Sequence, residues 1–281
     1  MFKITAKKQL NSTTFSMTVY APLTAQNILP GQFVMVMCDE DSERIPLTIS
    51  SFDKEKGEVT VVFQAVGAST LKLSKKNEGE YIAHFAGPLG MPTHLDGIKN
   101  ACVIGGGVGC AIALPEAKWL KEHGANVDII AGFRNKELII LKDDMENCSH
   151  SCTICTDDGS FGKKGFVTDA LKENISKGAG YDCVIAIGPI PMMKAVSRLT
   201  KEYGIKTIVS LNPIMIDGTG MCGGCRVTVG GQVKFACVDG PDFDAHQVDF
   251  NELTIRNRMY HSQEKQDMEH MCRLFGGAEN V

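Results

Sequence analysis

The amino-acid sequence predicts an α/β plus β fold: an N-terminal antiparallel β-barrel, a parallel sheet flanked by helices, and a short cysteine-rich C-terminal module. Three observations carry this. Short strand patterns separated by turn residues fill the chain up to about residue 95. From Lys99 the pattern changes to alternating strands and helices. Three of the eleven cysteines, Cys222, Cys225 and Cys237, then gather among glycines. The expected domains are residues 1–97, 98–211 and 212–281. A length of 281 residues suffices for two buried cores and an appendage, and 43% hydrophobic with 22% charged residues is ordinary globular composition.

In the first domain, strands are expected over residues 2–6, 14–20, 32–37, 47–51, 59–63 and 81–85, with turns at Pro30-Gly31, residues 53–57 and residues 77–79. One short helical stretch, residues 69–73, interrupts them, and a small barrel fits best. Two segments could hold a flavin. Arg44-Ile45-Pro46-Leu47-Thr48 sets a fixed cation beside a strand start, with the Thr48 hydroxyl available to a ring edge. Gly67-Ala68-Ser69-Thr70 opens the helical stretch, and a helix N-terminus with two hydroxyls suits a diphosphate. Taken singly, such an Arg is usually a solvated charge and such a tetrapeptide usually only a cap; their combination carries the reading.

The second domain is expected to place strands at residues 101–104, 127–131, 152–156, 183–187 and 207–210, with helices at 110–123, 168–177 and 192–203. Gly105, Gly106, Gly107, Val108 and Gly109 lie between the first strand and the first helix, where backbone can approach a phosphate and the helix dipole favours it. The run is not G-x-G-x-x-G, and a plain tight turn is the alternative. Asp157-Asp158-Gly159 and Gly188-Pro189-Ile190-Pro191-Met192 follow two further strands, so three loops should meet at the carboxyl edge of one sheet, where open α/β folds bind ligands. Arg134 follows the second strand and could serve a ribose or a 2′-phosphate. The residues do not choose between NADH and NADPH.

In the third domain two soft ligands in Cys222-x-x-Cys225 are joined by Cys237, which a predicted hairpin turning at Gly230-Gly231 returns beside Cys225. The plant-type 2Fe-2S spacing, C-x4-C-x2-C…C, puts the first ligand five residues before Cys222, at Asp217, a monoanion like a thiolate. Gly218, Gly220, Gly223 and Gly224 let backbone N–H groups reach the sulfurs. A structural zinc site and a thiol/disulfide pair are the alternatives, and the glycine-rich loop argues against both. Cys148, Cys152 and Cys155 have cluster-like spacing too, but a strand there points Cys152 and Cys155 to opposite faces. Cys38, Cys102, Cys110, Cys183 and Cys272 read as packing residues. Residues 238–244 read as a turn, and residues 251–274 as one or two amphipathic helices packed on their own domain in preference to a partner subunit.

A net charge of −4 without a dense Lys/Arg block offers no footprint for nucleic acid or an anionic membrane. Residues 1–5 lack the apolar core of a signal peptide, and the longest apolar stretch, residues 101–114, is broken by glycine. The expectation is a cytoplasmic protein whose thiols serve metals and cores.

The Asp217/Cys222/Cys225/Cys237 loop resembles the iron-sulfur module of the electron-transfer subunit of dihydroorotate dehydrogenase B and its relatives, the small subunits of sulfide dehydrogenase and of the electron-bifurcating NADH-dependent reduced ferredoxin:NADP oxidoreductase. The dihydroorotate branch resembles a four-cysteine pattern; Asp in first place is similar to the other branch. Arg44-x-Pro46-Leu47-Thr48 resembles the flavin motif of the ferredoxin-NADP reductase superfamily without its Tyr, and the Gly188-Pro189-x-x-Met192 loop resembles the segment that approaches nicotinamide there. The resemblance implies FAD, a 2Fe-2S cluster and NAD(P)H as cofactors. It also implies electron transfer to or from a larger flavin/iron-sulfur partner subunit, with ferredoxin reached through that partner. A subunit of dihydroorotate dehydrogenase B and a non-enzymatic iron-sulfur redox sensor are the other readings. No acid/base residue is expected, because the cofactors carry the chemistry.

Overall fold

Alternating side chains divide each barrel strand between two faces, and in the computed structural model, which describes residues 1–274, that division positions everything else. The barrel comprises β1 (Phe2–Gln9), β2 (Thr14–Tyr20), α1 (Pro22–Asn27), β3 (Phe33–Met37), β4 (Arg44–Asp53), β5 (Glu58–Gln64), α2 (Ala68–Lys75), β6 (Tyr81–Ile82) and β7 (His84–Leu89). The strands run in the order β6-β1-β2-β5-β4-β3-β7. The two ends of this sheet are consecutive pieces of one stretch, interrupted only at Ala83, which curls the sheet closed. Val34 and Val36, opposite Leu47 and Ile45, point into the barrel core with Ile49, Val61 and Phe85. Phe33 and Met35, opposite Thr48 and Pro46, point outwards. A second helix, α1, stands where the sequence suggested none. Pro22 at its start presets the backbone, but six residues are too few to show a helical period.

The parallel part comprises β8 (Asn100–Gly106), α3 (Gly109–Glu122), β9 (Asn126–Phe133), α4 (Lys142–Asn147), β10 (Ser151–Thr156), β11 (Lys163–Lys164), α5 (Val167–Ser176), β12 (Cys183–Ile187), α6 (Ile190–Glu202) and β13 (Lys206–Ser210). One face packs Ala101, Val103, Ile129 and Ile185 against α3, and the other packs Cys102, Ile104, Val184 and Val209 against α5 and α6. Cys152 lies with the first cluster and Cys155 is buried in the second, on opposite faces as the strand period requires. Chain order reverses at β8: β9 and β10 lie on one side, β12 and β13 on the other. This is the topological switch point, where a crevice opens at the carboxyl ends of the strands.

The last part comprises β14 (Arg226–Val229), β15 (Gln232–Phe235), β16 (Asp242–Asp244), α7 (Phe250–Arg256) and α8 (His261–Leu274). β14 and β15 form the expected hairpin. Residues 238–244 are more than a turn: β16 pairs antiparallel with β13, Val209 opposite Phe243, and so extends the nucleotide sheet. Three residues are too short a strand to show alternation. α7 buries Phe250 and Leu253 against the same sheet. α8 exposes nearly all its side chains over residues 261–269 and approaches α2 of the barrel, a contact that packing on its own domain alone does not include. No helix among the described residues is long and apolar enough to cross a membrane.

The three parts meet around two carboxyls. Thr93, in the link after β7, donates its hydroxyl to Glu116 Oε1 of α3 at 2.8 Å and also contacts Asp242 of β16. Glu116 is fully buried, and Glu116 Oε2 and Asp242 Oδ1 are enclosed with no other partner among the described residues. Burial, then repulsion from Asp242, pushes the Glu116 carboxyl well above the ordinary range, and burial raises Asp242. Burial of both carboxyls side by side favours the protonated form of the pair, which titrates as a unit.

Candidate functional site

A cavity of about 850 Å³ lies between the barrel and the switch point, within the range of cofactor pockets. Gly106, Gly107, Val108 and Gly109 line it at the start of α3, with Gly188, Pro189 and Met192 from the turn after β12. The two turns touch. A Cβ on Gly106 would lie 2.5 Å from Met192 Sδ, and one on Gly109 would lie 2.3 Å from Ile187 O. Gly105 is spent on packing β8 against Cys110 of α3. Arg134 and Asp157 face the cavity. Asp158 does not: its Oδ1 accepts from Ser160 N and Oγ at 2.9 and 2.7 Å, which hold its carboxyl below the ordinary range, and Gly159 takes φ 79° in the same turn.

From the barrel, Thr48 reaches this cavity together with Asn11, Thr14 and Gln64. The alternation of β4 separates the sequence-predicted residues. Leu47 packs on the barrel core, while Pro46 lies opposite Met35 on the outer face with Thr48. Arg44 is exposed at the start of the strand, close enough to Asp217 to hold that carboxylate below the ordinary range after its Thr219 and Met221 partners. The first turn of α2 comes beside the same end of β4, since Ser69 Oγ donates to Glu43 Oε2 at 3.0 Å. Thr70 Oγ1 accepts from Gly67 N at 3.1 Å and Val66 N at 3.2 Å, so this hydroxyl is used as a cap. These groups fit a flavin dinucleotide: an exposed cation, a helix N-terminus and a hydroxyl at a cavity wall. Glu43 must release Ser69 if that hydroxyl is to meet a diphosphate.

The cysteine loop packs on the outer face of β3. A Cβ on Gly218 would lie 2.6 Å from Met35 Cγ, and Phe33 and Met35 cluster with Met215, Cys225, Ala236 and Cys237. The hairpin returns Cys237 to Cys225, whose Sγ donates to Cys237 Sγ at 3.2 Å; both are buried. Burial, then that hydrogen bond, pushes Cys237 up to about 12. Two sulfurs on one tetrahedral metal with bonds of about 2.3 Å sit about 3.8 Å apart, so this pair is near ligand spacing. Cys222 is exposed, with its thiol held below the ordinary range by the N–H of Gly224, then of Asp217 and Ile216. Asp217 Oδ2 accepts from Thr219 N at 2.9 Å and from the Thr219 hydroxyl. Among the described residues no three His, Cys, Asp or Glu side chains converge on one point. The donor set still fits an iron-sulfur cluster: two thiols and a carboxylate on one loop and a third thiol just after the hairpin that follows it, with backbone N–H groups turned toward sulfur.

Sequence reasoning missed Asn11, Thr14, Gln64 and Phe166 as cavity residues, because polar and aromatic side chains at strand and helix ends carry no spacing signal. It also missed Ser210, Leu211 and Asn212, although the end of a parallel strand was itself the signal.

The family model of the iron-sulfur cluster binding domain of dihydroorotate dehydrogenase B matches residues 212–249. An uncharacterized protein of Clostridium beijerinckii is 52% identical over 94% of this chain and 92% of its own length. A dihydroorotate dehydrogenase B (NAD(+)) electron transfer subunit homolog of Thermotoga maritima is 42% identical over 99% of this chain and 98% of its own. A chain from the solved NADH-dependent reduced ferredoxin-NADP oxidoreductase superposes with a TM-score of 0.92 at 42% identity, over 96% of this chain and 97% of that one. The Amycolatopsis cytochrome P450 reductase shares the fold alone, at 20% identity and a TM-score of 0.62 over 72% of this chain and 65% of that one. The chain therefore belongs to the family of dihydroorotate dehydrogenase B electron-transfer subunits and their homologues.

Proposed function

We propose that this chain is the small, FAD- and 2Fe-2S-carrying subunit of an NAD(P)H-linked oxidoreductase, exchanging electrons with a larger flavin/iron-sulfur partner, as in ferredoxin:NADP oxidoreductase. The observation that carries the reading is that one barrel presents Thr48 to the glycine-lined cavity and, on the same face, Met35 to the cysteine loop. When bound, the cofactors supply two-electron hydride exchange at nicotinamide and flavin and one-electron transfer at the cluster. The chain's own residues bind and orient. The start of α3 and the Gly188 turn bring backbone N–H groups to a dinucleotide, and Arg44 and α2 hold the flavin diphosphate. Asp217, Cys222, Cys225 and Cys237 ligate iron. The remaining partners, ferredoxin through the larger subunit and a cytoplasmic setting, belong to the same reading, as do the domain limits 1–97, 98–211 and 212–281.

Anaerobic NADH should bleach flavin absorbance in a preparation holding about two irons per chain. A chain that keeps its iron and flavin but does not bleach with NADH or NADPH is a redox sensor instead. Asp217 favours the ferredoxin:NADP branch over dihydroorotate dehydrogenase. Asp217→Cys should retain iron with a changed EPR signature, and Asp217→Ala should lose iron. Parent spectra and iron content in both variants would remove this ground for the choice.

A further inference from the structure

Behind the cysteine loop stands a cation with no ion-pair partner among the described residues. α7 begins at Asp249, whose carboxylate accepts from Asn251 N and Glu252 N, and is pinned to the nucleotide sheet by Phe250 and Leu253. Its last residue is therefore held firmly. That residue, Arg256, donates Nη2 to Gly224 O at 3.1 Å, across 32 residues of chain, and its Nε is buried without a partner. The next residue, Asn257, donates Nδ2 to Asn212 O at 3.0 Å, where the module leaves the sheet. A small cavity of about 50 Å³, walled by Pro213, Ile214, Ile216 and Tyr260, encloses this contact. Arg256 makes no ion pair among the described residues.

Gly224 lies between this cation and the ligand set. Its N–H donates to Cys222 Sγ at 3.5 Å, and a Cβ on it would lie 3.5 Å from the same sulfur. Its C=O faces Arg256, so in a planar trans peptide the N–H of Cys225 points the opposite way, away from the guanidinium. We infer that Arg256 is a positioning residue for the iron-sulfur loop, fixing the Gly224–Cys225 peptide from behind and setting the reduction potential of the cluster with its charge. One-electron reduction adds a unit of negative charge to the cluster, so a partly buried cation next to the loop stabilises the reduced form and raises the potential.

The inference rests on the iron-sulfur reading above. It is tested by EPR-monitored redox titration of the anaerobically purified full chain, with iron counted in each sample. Arg256→Gln keeps a donor but loses the charge. It should hold about two irons and show an about tenfold lower reduced-to-oxidised ratio at fixed potential, equal to about 59 mV for one electron. Arg256→Lys should return most of that shift. A parent-like potential in Arg256→Gln, or an equal shift in Arg256→Lys, overturns the inference. If Arg256→Gln loses its iron, Arg256→Lys decides: iron retained at a parent-like potential supports the role, and iron lost overturns it. A parent chain without iron would instead refute the cluster reading itself.

Discussion

The nucleotide cleft and the cysteine loop are both rich in glycine, for different physical reasons. In the cleft, Gly106 and Gly109 are glycines because Met192 and the Ile187 carbonyl occupy the space a Cβ would need. In the loop, Gly220 and Gly223 take φ 86° and 68° with no contact closer than 3.2 Å, so they serve backbone direction. The cleft is assembled by packing of β8, α3 and β12. The loop has a buried sulfur pair, while its third thiol is exposed and its carboxylate is satisfied by its own backbone. In the proposed reading a bound metal would complete the ligand geometry there, and its binding energy would become folding energy.

The largest expected effect breaks the loop and leaves the cleft. Cys225→Ser removes one of the paired buried sulfurs and should take iron from about two per chain to none, with anaerobic flavin bleaching by NADH retained. Loss of bleaching as well would show that the two regions are not independent. Arg44→Ala comes next. Arg44 is exposed, so the loss is that of a hydrogen bond to a charged group, about 1.5–3 kcal/mol, or at least about tenfold in FAD affinity by equilibrium dialysis. Arg44 also stands near Asp217, so iron content of the same variant shows whether one cation serves both regions. Gly109→Ala attacks the cleft alone. Its Cβ meets a backbone carbonyl that cannot rotate away, an overpacking cost of about 1–3 kcal/mol, read as a lower melting temperature and weaker NADH binding with unchanged iron.

The same contrast explains what could be read from the sequence. Strand and helix periods located the barrel and the parallel sheet, because β3 to β5 and β8, β9, β10, β12 and β13 are long enough for alternation or burial to show, whereas the two residues of β11 are not. Cysteine spacing located the loop, since its members are neighbours in sequence. Contacts made by single residues over long separations left no pattern. Thr93, Glu116 and Asp242 sit in three different parts of the chain, and nothing in their flanking residues announces a meeting. Arg256 was one charge on a helix end, and Glu43 one of several exposed carboxylates. On β4, a strand period applied to residues 44–48 would have sorted Leu47 from Thr48, and the motif was read as a block instead.

The smallest expected effect concerns the carboxyl pair that ties α3, at the cleft, to β16, at the end of the module. Both carboxyls have folded pKa values raised above their ordinary ones, chiefly by burial. The folded state then binds more protons than the unfolded chain once pH exceeds about 4, where unfolded carboxyls ionise. The stability contributed by the protonated pair is fully present below that pH and is lost as pH rises through the folded values. The melting temperature should accordingly decline from weakly acid to alkaline buffer. Glu116→Gln keeps shape and a donor toward Asp242 but removes one titration, so its decline should be shallower than that of the parent. Parallel curves for the two proteins would mean that Glu116 does not titrate in that window. If the decline flattens while iron content and NADH bleaching stay at parental values, the junction acts on assembly of the three parts and neither cofactor region depends on its proton.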